Sequence, residues 1–555
     1  MITKKKNRIN FRVILPTMWA YRTSIGWILI LLSLATFTTL PLTCQRASAD
    51  EKAMIVGTMG LSIADLALGA ISLADRASRK LSNPPNIYQL IETVNEIALA
   101  TPDSRLPPPP RWHHSNTSSS VHTIIHGGRG DGTESLLLVL PLHSTPTAPP
   151  FLTAAIGIQV ARHLALAPWL AKTLAIVFVD DGADKTVNKN TTTNTLQQWL
   201  VSPVATSTLG TLQQAFILDI QSPRANAAFI DVHGYHGQLP NLDMVVLAKK
   251  NIDFFGGGLP VGVAVGRRFF STPVKPGIKP SYVDRLKTIT AFTLQSALGN
   301  SWGDRGGHGV VLWHRHADAL TLILRHDPRL VVVLPPPHNG GSGGGSATIN
   351  NQQQQQFDGM STARAALSIA EMVLRTCNNL HERFHHATAL YVLADAEHYV
   401  NIGAYMVPPA LLLAALALYV CSCVGPYPIW WEACAALVGI VGIVGIGVGS
   451  GGSVPFIMKA MGALGVIVAA VALQLAPPLR SLVLTTSEEQ QQGSRIQSVL
   501  NGIALLVLIT CTATLLWNWA LTFLALISAV LALYTATALF VLPYSFTNTK
   551  VPKNE

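Results

Sequence analysis

Charged residues are scarce in this chain. Asp, Glu, Lys and Arg together make up 12% of its 555 residues, about half the share of an average soluble domain. Hydrophobic residues make up 49%, and the mean hydropathy is +0.36. These values argue against a wholly soluble protein and indicate a membrane protein whose apolar residues come in long runs.

Cysteine is scarce as well, with six residues in the whole chain. Four of them fall in or beside apolar runs: Cys421, Cys423, Cys434 and Cys511. Only Cys44 and Cys377 remain near or in the soluble part. The six show no disulfide framework, and the Cys-Ser-Cys triplet does not have a zinc spacing. No cysteine stands out as a nucleophile.

The sequence also lacks a basic face interleaved with aromatic residues, as nucleic-acid binding needs. Much of the net charge of +10 lies beside apolar runs, as in the N-terminal cluster of Lys4, Lys5, Lys6, Arg8, Arg12 and Arg22. We therefore expect no nucleic-acid partner. By the positive-inside rule, this cluster places residues 1–23 in the cytosol.

The first apolar run, residues 24–44, is long enough to cross a bilayer. We interpret it as an uncleaved signal anchor rather than a signal peptide, because Ala47-Ser48-Ala49 is a weak cleavage site. Residues 45–398 would then form a luminal domain. The sequons at Asn116 and Asn190 agree with N-glycosylation in a secretory lumen.

The C-terminal part, residues 399–543, is predicted to form a transmembrane bundle followed by a cytosolic tail, residues 544–555. Its apolar runs predict spans near 402–424, 430–449, 455–476, 498–517 and 520–542. With the signal anchor, this gives about six spans. Pro408 and Pro409 are expected to kink or delay the first span of the bundle.

The luminal part shows short apolar runs separated by helical patterns, which is typical of an α/β fold. The strand candidates are Val121–Ile125, Ser135–Leu140, Leu174–Val179, Ala215–Ile220, Ala227–Val232 and Leu330–Leu334. The helix candidates are Thr153–Leu166, Thr193–Leu200, Leu242–Lys250, Tyr282–Leu298 and Thr362–Glu397. Because the strands are almost continuously apolar, we expect a mostly parallel sheet covered on both faces.

Two further segments of the luminal part have distinct patterns. Residues 335–356 are rich in Gly and Gln and predict a flexible insert. Residues 54–74 are apolar but carry Asp65 at their centre, where a charge is costly in a membrane span. We interpret them as an amphipathic helix that stays outside the bilayer core.

Polar residues follow several strand candidates and give the candidate site: His143, Asp180, Asp181, Asp219 and, in a Gly-rich loop, His308. If these side chains converge at one edge of the sheet, they are the donor types of a two-zinc peptidase. They equally fit strand-end polar residues that cap helices and meet water. The chain has no HExxH motif, and no Glu stands beside the Asp pair as a general base.

Other histidines lie in pairs. His314 and His316 alternate and would share one face of a strand, where exposed positions are favoured over a metal pair. His381 and His385 would share one face of a helix, and no carboxylate motif accompanies them. We therefore expect His381 and His385 to lie on a solvent-exposed face of that helix.

The segments GYHGQLPNLD at 234–243 and NNLHERFHHATALYVLADAEHYVNIGAYMVPPALLL at 378–413 are distinctive. Weaker segments join them in order: ESLLLVLPLH (134–143), AKTLAIVFVDD (171–181), QQAFILDI (213–220) and HGVVLWHRHADALTL (308–322). Together they resemble the family of GPI-anchor attachment proteins, the aminopeptidase-like membrane subunit of GPI transamidase. The chain departs from that family by its Gly/Gln-rich insert, and the resemblance leads us to expect a shorter C-terminal part.

The resemblance implies a complex in the endoplasmic reticulum membrane. The complex removes a C-terminal signal from a precursor protein and joins the new carboxyl end to the ethanolamine amine of a GPI lipid. In that family picture the cysteine nucleophile belongs to a separate caspase-like subunit. This chain is then expected to present the GPI lipid and to help its amine attack, without independent peptidase activity.

The resemblance also implies a zinc-exopeptidase-like luminal fold with a partial ligand set. His143-Ser144-Thr145 lacks the aspartate expected two residues after the histidine, and Asp180-Asp181 stand where a Glu pair is expected. Asp219 and His308 fit the later positions. We therefore expect a relic site without a catalytic metal, and no cofactor.

The candidates for handling substrate or lipid are Asn241 and Asp243 of the distinctive segment, and Pro408 and Pro409 of the bundle. A helix cap explains Asn241 equally well. Two alternatives to a presenting subunit stay open: a membrane-anchored zinc aminopeptidase and a pure scaffold of the complex.

Overall fold

A computed structural model describes residues 22–47, 63–81, 86–100, 106–114, 119–142, 150–180, 191–234, 238–266, 269–298, 306–330, 351–379, 390–423 and 519–536. The chain divides into two compact units. One comprises residues 44–400, and the other comprises residues 1–43 and 401–555.

The regular elements of the described residues alternate between strands and helices through most of the first unit. The strands are β1 (Gln45–Arg46), β2 (His113–His114), β3 (Ser120–Ile125), β4 (Glu134–Leu142), β5 (Thr173–Asp180), β6 (Thr211–Ile220), β7 (Ala227–Asp231), β8 (Val261–Val265), β9 (Phe269–Phe270), β10 (Asp318–Arg325), β11 (Tyr391–Leu393) and β12 (His398–Asn401). The helices are α1 (Arg22–Thr39), α2 (Ile63–Lys80), α3 (Ile87–Ala100), α4 (Pro150–Ala165), α5 (Thr191–Val201), α6 (Pro203–Thr208), α7 (Leu242–Phe255), α8 (Tyr282–Leu298), α9 (Gly306–Arg315), α10 (Asn351–Asn379), α11 (Ile402–Tyr405), α12 (Val407–Cys423) and α13 (Trp519–Ala536).

The main sheet of the first unit has the strand order β2-β3-β5-β4-β6-β10-β7-β8-β9. Its centre, β5-β4-β6-β10, is parallel, as the apolar strands predict. The flanks are not: β3 is antiparallel to β5, and β7 is antiparallel to β10. The α/β class is therefore confirmed, and the prediction of a mostly parallel sheet gives way to a mixed sheet. A short, continuously apolar run indicates a buried strand but does not indicate whether it runs parallel or antiparallel to its neighbours.

The direction of the four central strands defines two edges of the sheet. At the amino edge β4, β5, β6 and β10 begin, and at the carboxyl edge they end. Because β7 is antiparallel to β10, β7 ends at the amino edge. β8 is parallel to β7, so β8 begins at the carboxyl edge.

Helices cover both faces of the sheet. On one face, Leu137 and Ile217 of the strands share a fully buried cluster with Trp199 of α5 and Val310 of α9. On the other face α4 lies so close that a Cβ at Gly157 would stand 2.4 Å from the ring of Phe178. The predicted two-sided covering is therefore present.

The predicted amphipathic helix corresponds to α2. Its apolar face is buried, with Leu66, Ala70 and Leu73 among the core residues. It packs against α3, α4 and α10. A Cβ at Gly69 would lie 2.7 Å from the amide nitrogen of Gln159 on α4. The first unit, rather than a bilayer, covers the apolar face of α2.

A second, three-stranded sheet has the order β1-β12-β11. The sequence predicted one long helix over Thr362–Glu397, and this is wrong at β11, which is a strand. Residues 380–389, with His381 and His385, lie outside the described residues, and β11 follows them. The aromatic and β-branched residues of YVL and HYVN favour the strands that form here. At its other end α10 begins at Asn351, so the last residues of the predicted flexible insert are helical.

The second unit packs α1, α12 and α13 into one apolar cluster. Ile30, Leu416 and Phe523 are buried in it, and the rings of Phe37 and Phe523 stack with centroids 5.1 Å apart. Among the described residues one helical stretch, Ser24–Leu42, is long and apolar enough to cross a membrane. Residues 424–518 lie outside the described part, so the bundle of six spans stays a prediction.

Candidate functional site

The carboxyl edge carries two of the predicted site residues. Asp180 is the last residue of β5, and Asp219 is the second-to-last residue of β6. β4 lies between these strands, so the two backbones are about 10 Å apart. His143 follows β4 directly in the sequence, but His143 and Asp181 lie outside the described residues.

Asp180 and Asp219 belong to opposite faces of the sheet. Val139 of β4 pairs in register with Val177 of β5 and with Ile217 of β6, so these three share a face. Side chains alternate along a strand. Asp219, two residues after Ile217, lies on the same face, whereas Asp180, three residues after Val177, lies on the other. The two carboxylates therefore do not form one ligand set.

Asp219 is enclosed by the fold. Its side chain is fully buried, and the amide nitrogen of Gln221 donates a hydrogen bond of 3.0 Å to its Oδ2. Its backbone pairs in register with Ile323 of β10. A buried carboxylate needs such donors because desolvation is costly, so these contacts explain Asp219 without a metal.

His308 was predicted in a Gly-rich loop, but it lies in α9 and is fully buried. Its Nδ1 is 2.8 Å from Oγ1 of Thr321 on β10, and its Nε2 is 3.8 Å from Oδ1 of Asp231 on β7. Thr321 pairs in register with both Asp231 and Ile217. The His308 contacts therefore lie on the same sheet face as Asp219, and both ring nitrogens face protein groups.

A second buried histidine adjoins this cluster. Nε2 of His233 lies 2.7 Å from Oγ of Ser296 on α8, and its ring meets Phe292 edge-on. The backbone N–H of His233 also donates to Oδ1 of Asp231 at 3.4 Å. The cluster thus ties α8 and α9 to β7 and β10 through polar contacts in the core.

Of this cluster, only His308 was predicted from the sequence as a candidate site residue. Asp231 and His233 alternate at the end of an apolar strand, in FIDVH, and that pattern was the available signal. Ser296 and Thr321 gave none, because an isolated hydroxyl in an apolar segment fits many roles. Only the pairing of β7 with β10 brings the five side chains together.

The predicted site residues that the structure describes, Asp180, Asp219 and His308, do not fit a zinc centre. Among the described residues, no group of three or more His, Cys, Asp or Glu side chains is arranged to hold a metal ion. Asp180 faces away from Asp219, and the His308 nitrogens face Thr321 and Asp231.

The predicted strand pair His314 and His316 is wrong. His314 lies in the last turn of α9. His316 has a positive φ of 50° and lies in the connection to β10, which begins at Asp318. The two side chains therefore do not share a strand face. The connection needs a residue that tolerates the left-handed region, and histidine is among those enriched there.

Of the distinctive segment 234–243, Gly234 and residues 238–243 are described, and they lie at the amino edge, where β7 leads into α7. The N–H of Gly234 donates to the Gln238 carbonyl at 2.9 Å, and the Gln238 amide donates to the Leu312 carbonyl at 3.1 Å. Asn241 caps α7, since its Oδ1 accepts from the N–H of Asp243 at 3.1 Å. The capping explanation of Asn241 is therefore the one its contacts support.

Two further contacts fix this segment at the amino edge. The backbone N–H of Asn241 donates to Oδ1 of Asp318, the first residue of β10, at 2.8 Å. The hydroxyl of Tyr391 on β11 donates to the Pro240 carbonyl at 2.9 Å. Burial, together with the nearby Asp318 carboxylate, raises the pKa of Tyr391, which keeps its hydroxyl protonated as a donor.

Pro408 and Pro409 lie in the first turn of α12. Proline is well tolerated there, because the first N–H groups of a helix have no partner within it. The two prolines therefore start α12 after the short helix α11. Oγ of Ser33 on α1 donates to the Pro408 carbonyl at 2.8 Å.

The first unit is an α/β domain with a mixed sheet, and the second unit is built from apolar helices. The model of the family described as "Gaa1-like, GPI transamidase component" matches residues 117–436, more than half of the chain. The chain therefore belongs to this family, as the resemblance predicts.

Two curated relatives are components of GPI transamidase. The chain is 24% identical over 317 residues to GAA1 of Saccharomyces cerevisiae, covering 55% of this chain and 42% of the relative. It is 24% identical over 303 residues to gaa1 of Schizosaccharomyces pombe, covering 54% and 45%. The match spans less than half the length of either relative.

Solved structures with some likeness include Porphyromonas gingivalis glutaminyl cyclase, at 13% identity and a TM-score of 0.30, covering 56% of this chain and 98% of that one. The LapA aminopeptidase of Legionella pneumophila gives 8% identity and a TM-score of 0.28, covering 67% and 76%. Superpositions at these scores carry no argument about chemistry.

Proposed function

We propose that this chain is a non-protease subunit of a GPI transamidase. It presents the GPI lipid and assists the transfer of a precursor protein's carboxyl end to the ethanolamine amine of the lipid. The observation that carries the proposal is the family match over residues 117–436.

The thiols of the first unit support a non-protease role. Burial raises the pKa of Cys377 to about 12 and that of Cys44 to about 11. The thiolate is the nucleophilic form of cysteine, so both groups are poor nucleophiles at neutral pH. In this proposal the nucleophile comes from a caspase-like cysteine protease subunit of the complex.

The arrangement of acidic residues weighs against the alternative of a zinc aminopeptidase. Asp180 and Asp219 lie on opposite faces of the sheet, and Asp219 and His308 are engaged within the core. The proposal therefore keeps His143, Asp180, Asp181, Asp219 and His308 as relic positions and assigns them no catalytic step.

The proposed setting is the endoplasmic reticulum membrane, with the first unit in the lumen and Asn116 and Asn190 as glycosylation sites. The apolar helix α1 supports anchoring in a membrane. The proposed partners are the other transamidase subunits, the GPI lipid and precursor proteins with a C-terminal GPI signal. We place lipid handling near Pro408 and Pro409, at the start of an apolar helix packed on α1.

Depletion in the native cells tests the proposal. Loss of this chain should leave a GPI-anchored reporter uncleaved and free GPI lipid accumulating, and re-expression should restore attachment. A Cys44→Ala/Cys377→Ala variant should restore it equally well, because neither thiol is the nucleophile. Normal attachment after depletion would sink the proposal, and failure of the cysteine variant despite normal abundance would contradict the non-protease role.

A second experiment separates lipid presentation from scaffolding. Pro408→Leu and Pro409→Leu are introduced together, and assembly is followed by co-purification of the other subunits. Lost attachment in an assembled complex supports presentation. Normal attachment with this variant would remove Pro408 and Pro409 from the proposed lipid site.

A further inference from the structure

The chain leaves the first unit through the three-stranded sheet. β1 begins at Gln45, three residues after the apolar stretch Ser24–Leu42 ends. β12 ends at Asn401, directly before the apolar stretch Ile402–Ala417. Three residues reach roughly 10 Å at most. If Ser24–Leu42 spans a bilayer, β1 and its partner β12 must therefore lie close to the membrane surface.

The β11–β12 hairpin shows which edge of the main sheet lies beside this exit. Its turn is held by Arg285, which contacts Asp395 at 2.8 Å and His398 at 3.2 Å. The strand ends lie away from the turn, where the rings of Tyr391 and Tyr399 meet edge-on. Tyr391 binds the Pro240 carbonyl, in the distinctive segment at the amino edge. The exit therefore lies on the side of the amino edge.

Large apolar side chains are exposed along this amino edge. They lie in the helices and loops that directly precede β5, β6 and β10: Leu166, Val201, Val204 and Trp313. Arg315, two residues after Trp313, donates to the Leu200 carbonyl at 2.5 Å and joins α9 to the α5–α6 connection. We call these four apolar residues the amino-edge patch.

The composition of the amino-edge patch suits a bilayer interface. Trp is enriched at the level of lipid headgroups, because its ring is apolar and its N–H is polar. Valine and leucine add apolar contact, and Arg315 with the exposed His316 supplies polar groups at the same edge. Chain connectivity puts lipid within reach of these exposed side chains, because the chain enters and leaves the first unit on the same side of the sheet.

We propose that the amino edge of the sheet rests on the membrane, with the amino-edge patch in the lipid interface and the carboxyl edge directed away from it. The inference rests on the proposed membrane anchoring of this chain. In this arrangement the first unit itself contacts the bilayer, and the described residues of the distinctive segment 234–243 lie near the lipid headgroups.

Photo-crosslinking to lipid tests the inference. The full-length protein carries p-benzoyl-phenylalanine at one position, is reconstituted in phosphatidylcholine vesicles and is irradiated, and lipid adducts are read by mass spectrometry. The probe positions are matched in exposure: Leu166 is 62% exposed at the amino edge, and Ile278 is 62% exposed at the carboxyl edge. Leu31 on α1 is 63% exposed and reports the anchor itself.

Adducts are expected at Leu31, Leu166 and Trp313, with Ile278 at background. Labelling at Leu31 without labelling at Leu166 and Trp313 overturns the inference and leaves the proposed anchoring intact. Equal labelling at Leu166 and Ile278 also overturns it, because the sheet edges would then not be distinguished. Background labelling at Leu31 overturns the anchoring, and with it this inference. The readout is independent of GPI attachment.

Discussion

The hydroxyl of Ser33 donates a 2.8 Å hydrogen bond to the carbonyl of Pro408, across 375 residues of chain. The contact is buried and joins α1 to the first turn of α12. A hydrogen bond between apolar helices is stabilising because few other donors exist around it.

Replacement of Ser33 by alanine should therefore loosen the α1–α12 pair. We expect a loss of about 1 kcal/mol in helix association, seen as a lower melting temperature of the full chain in detergent. Ser528→Ala is the matched control, because exposed Ser528 bonds a carbonyl within its own helix. An equal effect of both variants would contradict this role of Ser33.

His308→Ala should destabilise the first unit. The change removes a fully buried ring, and with it the contacts that the ring makes to the Thr321 hydroxyl and the Asp231 carboxylate. We expect a loss of about 2–4 kcal/mol in unfolding free energy, measured by thermal denaturation. His326→Ala, at an exposed position, is the control. Full stability with altered GPI attachment would instead indicate a functional role for His308.

Asn241 has a capping role that can be separated from lipid handling. Asn241→Ala should cost about 1 kcal/mol of stability, and Asn241→Ser should retain most of the cap. Both are compared by thermal denaturation and by attachment of a GPI-anchored reporter. If Asn241→Ser keeps stability but loses attachment, the amide contributes more than a cap.

His122 should make the first unit sensitive to acid. Burial, with His113 nearby, lowers the pKa of His122 from 6.5 to about 4. In that interval the unfolded chain binds a proton that the folded chain does not. The contribution of neutral His122 is therefore complete above pH 6.5 and declines as the pH falls toward 4.

The melting temperature should therefore be lower at pH 5 than at pH 7.5, because the unfolded chain gains a proton on His122 that the folded chain does not bind. His122→Gln should reduce the drop, because glutamine does not titrate. His126→Gln, at an exposed position of the same region, should leave it unchanged. An undiminished drop in His122→Gln would place the acid sensitivity elsewhere.

The strands β3 to β7 were readable from the sequence because each is a short, nearly continuous apolar run between turns. β10 was missed, since DALTLILR follows a histidine-rich stretch that was itself taken for a strand. β11 fell within the predicted helix Thr362–Glu397, and β12 fell between that helix and the predicted span at 402–424. β12 pairs with β1, a segment more than 340 residues earlier, and no local pattern carries that information.

The candidate site was less readable than the fold. The positions of Asp180 and Asp219 at strand ends were predicted, but their faces were not. The face depends on the register across β4, which shifts at an irregularity between Ser135 and Leu136. Register is a tertiary property, and a shift of one residue moves a side chain to the other face. The His308 contacts likewise depend on the antiparallel entry of β7 beside β10.

The opposite placement of Asp180 and Asp219 also limits how a metal site could arise at this edge of the sheet. A longer carboxylate at position 180 would still extend from the wrong face. A carboxylate on the Asp219 face of β5 would have to stand at position 179, where the buried Val179 belongs to the core cluster. A carboxylate at that position would replace a packed core side chain with a buried charge, so this single substitution would lower the stability of the fold before it supplied a metal ligand.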